Sequence, residues 1–77
     1  MWEKELHKQR TILARNIKNI RKERGLAQEA LALEAGVDRT LVSKIERLIA
    51  NPSLEILVKL SLALEVPVIR LLQPKHL

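Results

Sequence analysis

QEALALEAGVDRTLVSKIER, residues 28–47, divides at its one glycine into two short segments with helical periodicity. Before Gly36, Leu31, Ala32 and Ala35 recur at the three-to-four spacing of one helical face. After it, Leu41, Val42 and Ile45 do the same. Gly36 stands where the chain must leave the first helix, and glycine takes the left-handed conformation that ends a helix without a steric penalty. Val37 then returns to the core, and the Asp38 side chain is positioned to cap the second helix. Ala32 matters for its size, because two helices that cross steeply need a small residue where one backbone passes the other. These features fit a helix-turn-helix, whose second helix can lie in the major groove of DNA. The competing account is an ordinary αα-corner in a small bundle.

Length and composition narrow the class. A chain of 77 residues is one domain, and at this size the core is modest unless the chain is helical, well packed or oligomeric. A hydrophobic fraction of 47% is high for that size and points to apolar surface kept for a partner chain. Trp2 is the single aromatic residue, so no aromatic platform exists for stacking single-stranded bases. The absence of cysteine excludes disulfides, a thiolate nucleophile and a cysteine-based zinc site. With no long apolar run and no signal-peptide pattern, a soluble, cytoplasmic protein without membrane association is expected.

The net charge of +5 is uneven. Residues 1–24 hold eight Lys or Arg and three Glu, a net +5, whereas residues 25–48 hold three basic and four acidic residues, a net −1. A basic first helix beside a near-neutral middle suits a polyanion that touches one face, although charge that merely keeps a helix soluble gives the same pattern.

Taken in order, the chain reads as five helices. Leu6, Leu13, Ile17 and Ile20 form one stripe of a helix over 1–24, with Lys8, Arg15, Lys18 and Lys22 mainly off that stripe and Gly25 as its stop. Residues 1–12 extend this helix beyond what the fold requires, and its first turns, with Trp2, are expected to project. The second helix spans about 28–35 and starts without a side-chain cap, because Ala27 cannot accept a hydrogen bond. The third is expected from about Arg39 into Leu48. The fourth follows Pro52, with Ser53 as cap and Leu54, Leu57, Leu60, Ser61 and Leu64 at helical spacing. The fifth opens at Pro67, carries Val68, Ile69, Leu71 and Leu72, and ends before Pro74. No strand pattern, internal repeat or low-complexity segment appears. The expected fold is a compact all-α domain with the helix-turn-helix at helices 2 and 3.

From about Leu13 to Leu72 the chain resembles the lambda-repressor/Cro-type, or Xre, helix-turn-helix family. The motifs that carry the resemblance are NIRKERGLAQEALALEAGV, DRTLVSKIER and NPSLEILVKLSLALEVP. Asp38-Arg39-Thr40, with Ser43 and Ile45-Glu46-Arg47, look most like the small controller proteins of restriction–modification systems, which are dimeric regulators that both activate and repress. Stand-alone repressors and antitoxins share the same motifs. Three positions depart from the pattern. Ala27 replaces the usual Thr or Ser cap, a loss of about 0.5–2 kcal/mol. Leu41 stands where the controllers often have an aromatic residue. Leu48 stands where the family usually has glycine, so helix 3 is expected to run on by about one turn, or Leu48 to be buried against helix 4 or a partner.

The candidate DNA contacts follow from position. Phosphates supply affinity and base edges supply sequence reading. Arg39 and Thr40 open the recognition helix and are the first candidates for base edges, since Arg can bond guanine O6 and N7 together. Ser43, Lys44 and Arg47 follow on the exposed face. Gln28, at the start of helix 2, is a candidate phosphate clamp, carried over from the resemblance and helped by the helix amides. Asn51, in the loop after helix 3, is a candidate phosphate donor or simply a turn residue. The resemblance pairs Glu46 with Arg21 as scaffold. A specific site requires two recognition helices, so a homodimer on an inverted repeat is expected. Its apolar surface is sought in Leu64, Val66, Val68, Ile69 and Leu72, with the Trp2 end of helix 1 as a second candidate. Because Val68 and Ile69 point about 100° apart on a helix, at least one should be exposed in the monomer. His7 and His76 lie near opposite ends, no acidic cluster completes a metal site, and Ser43 has no base nearby. No enzyme activity, cofactor, metal or small-molecule ligand is expected. The leading function is a dimeric, sequence-specific regulator that binds double-stranded DNA. The alternative is an antitoxin or other protein-interaction module with secondary DNA binding.

Overall fold

The computed structural model describes residues 1–74, which places His76 outside the described residues. Five helices run in the order α1 (Trp2–Glu23), α2 (Gln28–Ala35), α3 (Leu41–Glu46), α4 (Leu54–Leu64) and α5 (Val68–Leu71), and no strand occurs among the described residues. No helix there is long and apolar enough to cross a membrane. The core draws on every helix: Leu13, Ile17 and Ile20 from α1, Leu31 and Ala32 from α2, Val42 and Ile45 from α3, Leu57, Leu60 and Leu64 from α4, and Leu71 from α5.

The glycine positions do what the sequence requires of them. Gly25 and Gly36 have φ of 69° and 71°, ending the excursions of α1 and α2. At α2 the Val37 amide closes back on the Ala32 carbonyl at 3.0 Å. Ala27 precedes α2 with no side-chain cap, while Ser53 caps α4 by accepting from the Ile56 amide at 3.2 Å.

Helix α3 is shorter than expected at both ends. The Asp38 carboxylate accepts the Thr40 amide and the Thr40 hydroxyl, and the Leu41 amide bonds the Asp38 carbonyl at 3.0 Å. Residues 38–41 therefore form a turn, and the helix begins at Leu41 rather than Arg39. At the other end the chain turns back at Leu48, whose φ is 64°. The Leu48 amide bonds the Ile45 carbonyl and the Ile49 amide bonds the Lys44 carbonyl, each at 3.0 Å, so Leu48 fills the place usually taken by glycine. The expected extension of α3 does not occur. Leu48 is half-buried and lines an open groove with Thr11, Ala14, Arg15 and Lys18 of α1. The left-handed conformation carries a penalty of about 1–2 kcal/mol for a residue with a β-carbon. Glu65 ends α4 in the same conformation, with φ of 59°, and its carboxylate pairs with Arg24 at 2.7 Å.

Two apolar positions fall elsewhere than expected. Leu54 is 70% exposed and does not join the inward face of α4. On a helix it lies about 120° from Leu60, on the side of Val58 and Leu62. Leu64 is 1% exposed and belongs to the core.

The segment 70–73 is tied to α1 by a buried amide. Asn16 Nδ2 donates towards the carbonyls of Leu71 and Gln73, each at 2.9 Å, and of Arg70 at 3.2 Å. This anchors α5 across the bundle.

Candidate nucleic-acid interface

The recognition unit is α2, the turn at Gly36, and α3. Val42 and Ile45 bury one side of α3, and Leu41 packs half-buried at its edge. The burial of Val42 and Ile45 turns Arg39, Thr40, Lys44 and Arg47 to solvent, with Ser43 half-exposed beside them. Among the described residues the Arg39 and Lys44 side chains make no hydrogen bond or ion pair, so both cations are free for a ligand. Arg47 is directed by its neighbour: its Nε donates to Ser43 Oγ at 3.2 Å across one helical turn. Ser43 thus orients a cation as well as offering its own hydroxyl. Thr40 is exposed and commits its hydroxyl proton to Asp38, which leaves the hydroxyl oxygen as an acceptor. Those two bonds from Thr40, hydroxyl and amide, hold the Asp38 carboxyl below its ordinary range. Asp38 stays ionised and fixes the turn that presents Arg39.

Behind this face a polar network fixes α3 to α1 and α2. Arg21 Nε donates to Glu46 Oε2 at 2.8 Å and Arg21 Nη2 to Oε1 at 3.0 Å, while Arg21 Nη1 reaches the Leu26 carbonyl at 2.9 Å. Gln28 Nε2 donates to the same Glu46 Oε1 at 3.0 Å. Burial pushes the Glu46 carboxyl up, but the Arg21 and Gln28 bonds and the Arg21 and Lys18 charges outweigh it and hold it down. The bond to Glu46 raises the Arg21 guanidinium. The expected Arg21–Glu46 pair is therefore present. Gln28 belongs to it through its amide nitrogen, so the side chain expected to clamp a phosphate is engaged with Glu46 inside the network.

Asn51 is exposed in the α3–α4 loop and lines, with Pro52, a small cavity of about 110 Å³ beside Leu6, Gln9, Arg10 and Leu13 of α1. The five apolar residues considered for an interface separate. Leu64 is inside the core and is unavailable to a partner. Val66, Val68 and Leu72 pack half-buried against that core, and Ile69 stands 75% exposed. Of Val68 and Ile69, one faces in and one out, as their angular separation requires. The apolar stripe that the reading of the sequence missed is on α4: Leu54, Val58 and Leu62 at i, i+4 and i+8, all exposed. The spacing was visible in the sequence. What hid it was that Leu54 also fits the inward series when only intervals of three and four are counted.

The helix-turn-helix family model (HTH_3) matches residues 17–71. The HTH-type transcriptional regulator SinR of Bacillus subtilis is 44% identical over 66 residues, covering 84% of this chain and 60% of SinR. The chain thus spans about three fifths of the length of the curated relatives it matches. The crystal structure of the hypothetical transcription factor NHTF from Neisseria superposes with a TM-score of 0.83 at 41% identity, over 86% of this chain and 76% of that one. The restriction–modification controller protein C.AhdI from Aeromonas hydrophila superposes with a TM-score of 0.77 at 34% identity, over 80% of this chain and 94% of that one.

Proposed function

The chain belongs to the helix-turn-helix (HTH_3) family, and from that premise we propose that it regulates transcription by binding an inverted repeat in double-stranded DNA as a homodimer. The observation that carries this reading is the outer face of α3. Free Arg39 and Lys44 and the Ser43-directed Arg47 stand on a helix locked from behind by Arg21, Glu46 and Gln28. A fixed helix with unpaired cations at its leading edge suits the major groove. Arg39 and Thr40 read bases, Lys44 and Arg47 hold phosphates or bases further along, and Gln28 and Asn51 grip the backbone on either side.

The exposed apolar stripe supports the homodimer. Leu54, Val58 and Leu62 on α4, with Ile69 on α5, offer a surface outside α3 for a second copy. Two copies present two recognition helices about one turn of DNA apart.

Control of a restriction–modification operon is supported by the likeness to C.AhdI and by the resemblance of Asp38-Arg39-Thr40, Ser43 and Ile45-Glu46-Arg47 to controller proteins. Identity is higher to the transcriptional regulator SinR and to the Neisseria factor, which supports the broader reading as a transcription regulator.

The test is selection of a duplex by the purified chain from a random pool, followed by titration. Arg39→Ala should lose roughly 1–3 kcal/mol on the selected site and little on random DNA. Lys44→Ala or Arg47→Ala should weaken both if they hold phosphates. Failure of the chain alone to select any duplex would overturn the reading and leave the antitoxin alternative.

A further inference from the structure

The family match begins at residue 17, whereas α1 begins at Trp2, so four turns of helix lie outside it. These turns are seated, since Leu6, Gln9, Arg10 and Leu13 border Asn51, Pro52, Leu57 and Leu72. The outer side of the whole helix carries Lys4, Lys8, Thr11, Arg15, Lys18 and Lys22, at spacings of four, three, four, three and four. At 100° per residue they fall within an arc of about 80° and run for about 27 Å. Glu3, Glu5 and Glu23 each lie about 60° outside that arc. All four lysines are exposed, and none of the five cations is ion-paired among the described residues. Arg15 is half-buried and steadied by Asn16 Oδ1 and the Gln73 carbonyl, at 3.3 and 3.4 Å.

The stripe is continuous with the candidate interface. Arg15 and Lys18 rim an open groove of about 410 Å³ between α1 and the end of α3, lined also by Thr11, Ala14, Asn19, Glu46 and Leu48. Lys18 is close enough to Glu46 to hold its carboxyl down, and Glu46 also accepts from Gln28 at the start of α2. From that junction the cations continue along α1 to Lys4, away from the recognition unit.

We infer that this stripe is a second phosphate track, on which the outer face of α1 holds the backbone of duplex DNA flanking the half-site read by α3. The inference rests on the DNA-binding reading and extends its footprint. Point charges at regular intervals, with no apolar or aromatic residue among them, match an evenly charged polymer better than the shaped, partly apolar surface of a protein. Each phosphate neutralised releases counterions, so the track must show in the salt dependence of binding.

The experiment compares the full chain with Lys4→Ala/Lys8→Ala on two duplexes. One is the site selected by the wild type with long flanks, and the other is the same site trimmed at its outer edge. Lysine to alanine favours helix, so circular dichroism should show α1 intact. On the flanked duplex the variant should bind several-fold more weakly, with a slope of log affinity against log salt shallower by about 2 for each protomer bound, about 4 for the dimer. On the trimmed duplex it should equal the wild type. Unchanged affinity and slope on the flanked duplex would overturn the track and leave α3 binding untouched. Equal loss on both lengths would also overturn it, by moving the lysines inside the half-site. If the wild type bound neither duplex, the α3 reading itself would fall.

Discussion

Arg21 and Glu46, 25 residues apart in sequence, meet in a two-point ion pair with bonds of 2.8 and 3.0 Å, and both side chains are about nine-tenths buried. The pair joins the end of α1 to the end of α3, and Gln28 adds the start of α2 to the same carboxylate. A short recognition helix of six residues cannot hold its own orientation through backbone bonds alone. The side-chain network supplies what helix length does not.

Truncating one partner should therefore cost more than removing both. Glu46→Ala strands a buried guanidinium, and a loss of about 3–5 kcal/mol in urea unfolding is expected. Arg21→Met with Glu46→Leu replaces charge by apolar volume and should recover much of that loss, although DNA affinity should remain reduced because α3 is no longer pinned. Equal stability of the single and double variants would show that the pair is not buried in solution as it is here.

The same carboxylate predicts an acid limb. Glu46 is held below its ordinary value of 4.5, so the folded chain binds its proton less readily than the unfolded chain. The stabilisation is fully present above that value and is lost as pH falls through the folded value, below 4.5. The stability gap between wild type and Glu46→Gln should be constant from neutral pH to about 5 and close as pH falls further. A gap that stays open well below the ordinary carboxylate range would remove ionised Glu46 from the account.

Leu48 permits a sharper comparison. Its φ of 64° is one that a β-carbon resists. Leu48→Gly and Leu48→Ala both lose the half-buried leucine side chain, yet only glycine relieves the backbone. At an ordinary position alanine is the more stable by about 0.4–1 kcal/mol. Here the order should reverse, with Leu48→Gly above Leu48→Ala by about 1 kcal/mol in chemical denaturation. Equal midpoints for the two variants would mean that residue 48 leaves the left-handed conformation in solution.

Leu48 also marks where the sequence stops being legible. Gly25 and Gly36 announce two helix ends because their chemistry permits the turn, and the structure turns there. Leu48 and Glu65 take the same conformation without that chemistry, in surroundings that only the folded chain creates: a groove shared with α1 for one, an ion pair with Arg24 for the other. The Arg21–Glu46 pair was readable through family resemblance, but Gln28 joining it through its amide was not. Asn16 gave no signal at all, since an asparagine inside a helix reads as surface until the carbonyls of residues 70, 71 and 73 are seen around it. Periodicity located the core residues of α4 but could not assign Leu54, which fits the inward and outward series alike and is assigned by packing. The positions on α3 were legible from their order, and what Ser43 does for Arg47 was not.

The apolar stripe yields the last prediction. Leu62 and Ile69 are 73% and 75% exposed, whereas Leu64, two residues from Leu62, is 1% exposed. An aspartate at an exposed position meets water in the monomer and is buried only if a second copy covers it. An aspartate at Leu64 is buried in the monomer itself, at a cost that few small domains survive. Leu62→Asp and Ile69→Asp should therefore give monomers with wild-type helix content and operator binding weakened strongly, because one recognition helix now acts where two did. Leu64→Asp should lose helix content outright. Sedimentation velocity at tens of micromolar, with circular dichroism on the same samples, separates the two effects. A wild-type chain that sediments as a monomer and still binds its site tightly would defeat the dimer. Dimers that persist in both exposed-site variants would defeat this face, leaving the Trp2 end of α1 as the remaining apolar candidate, to be tested by Trp2→Asp.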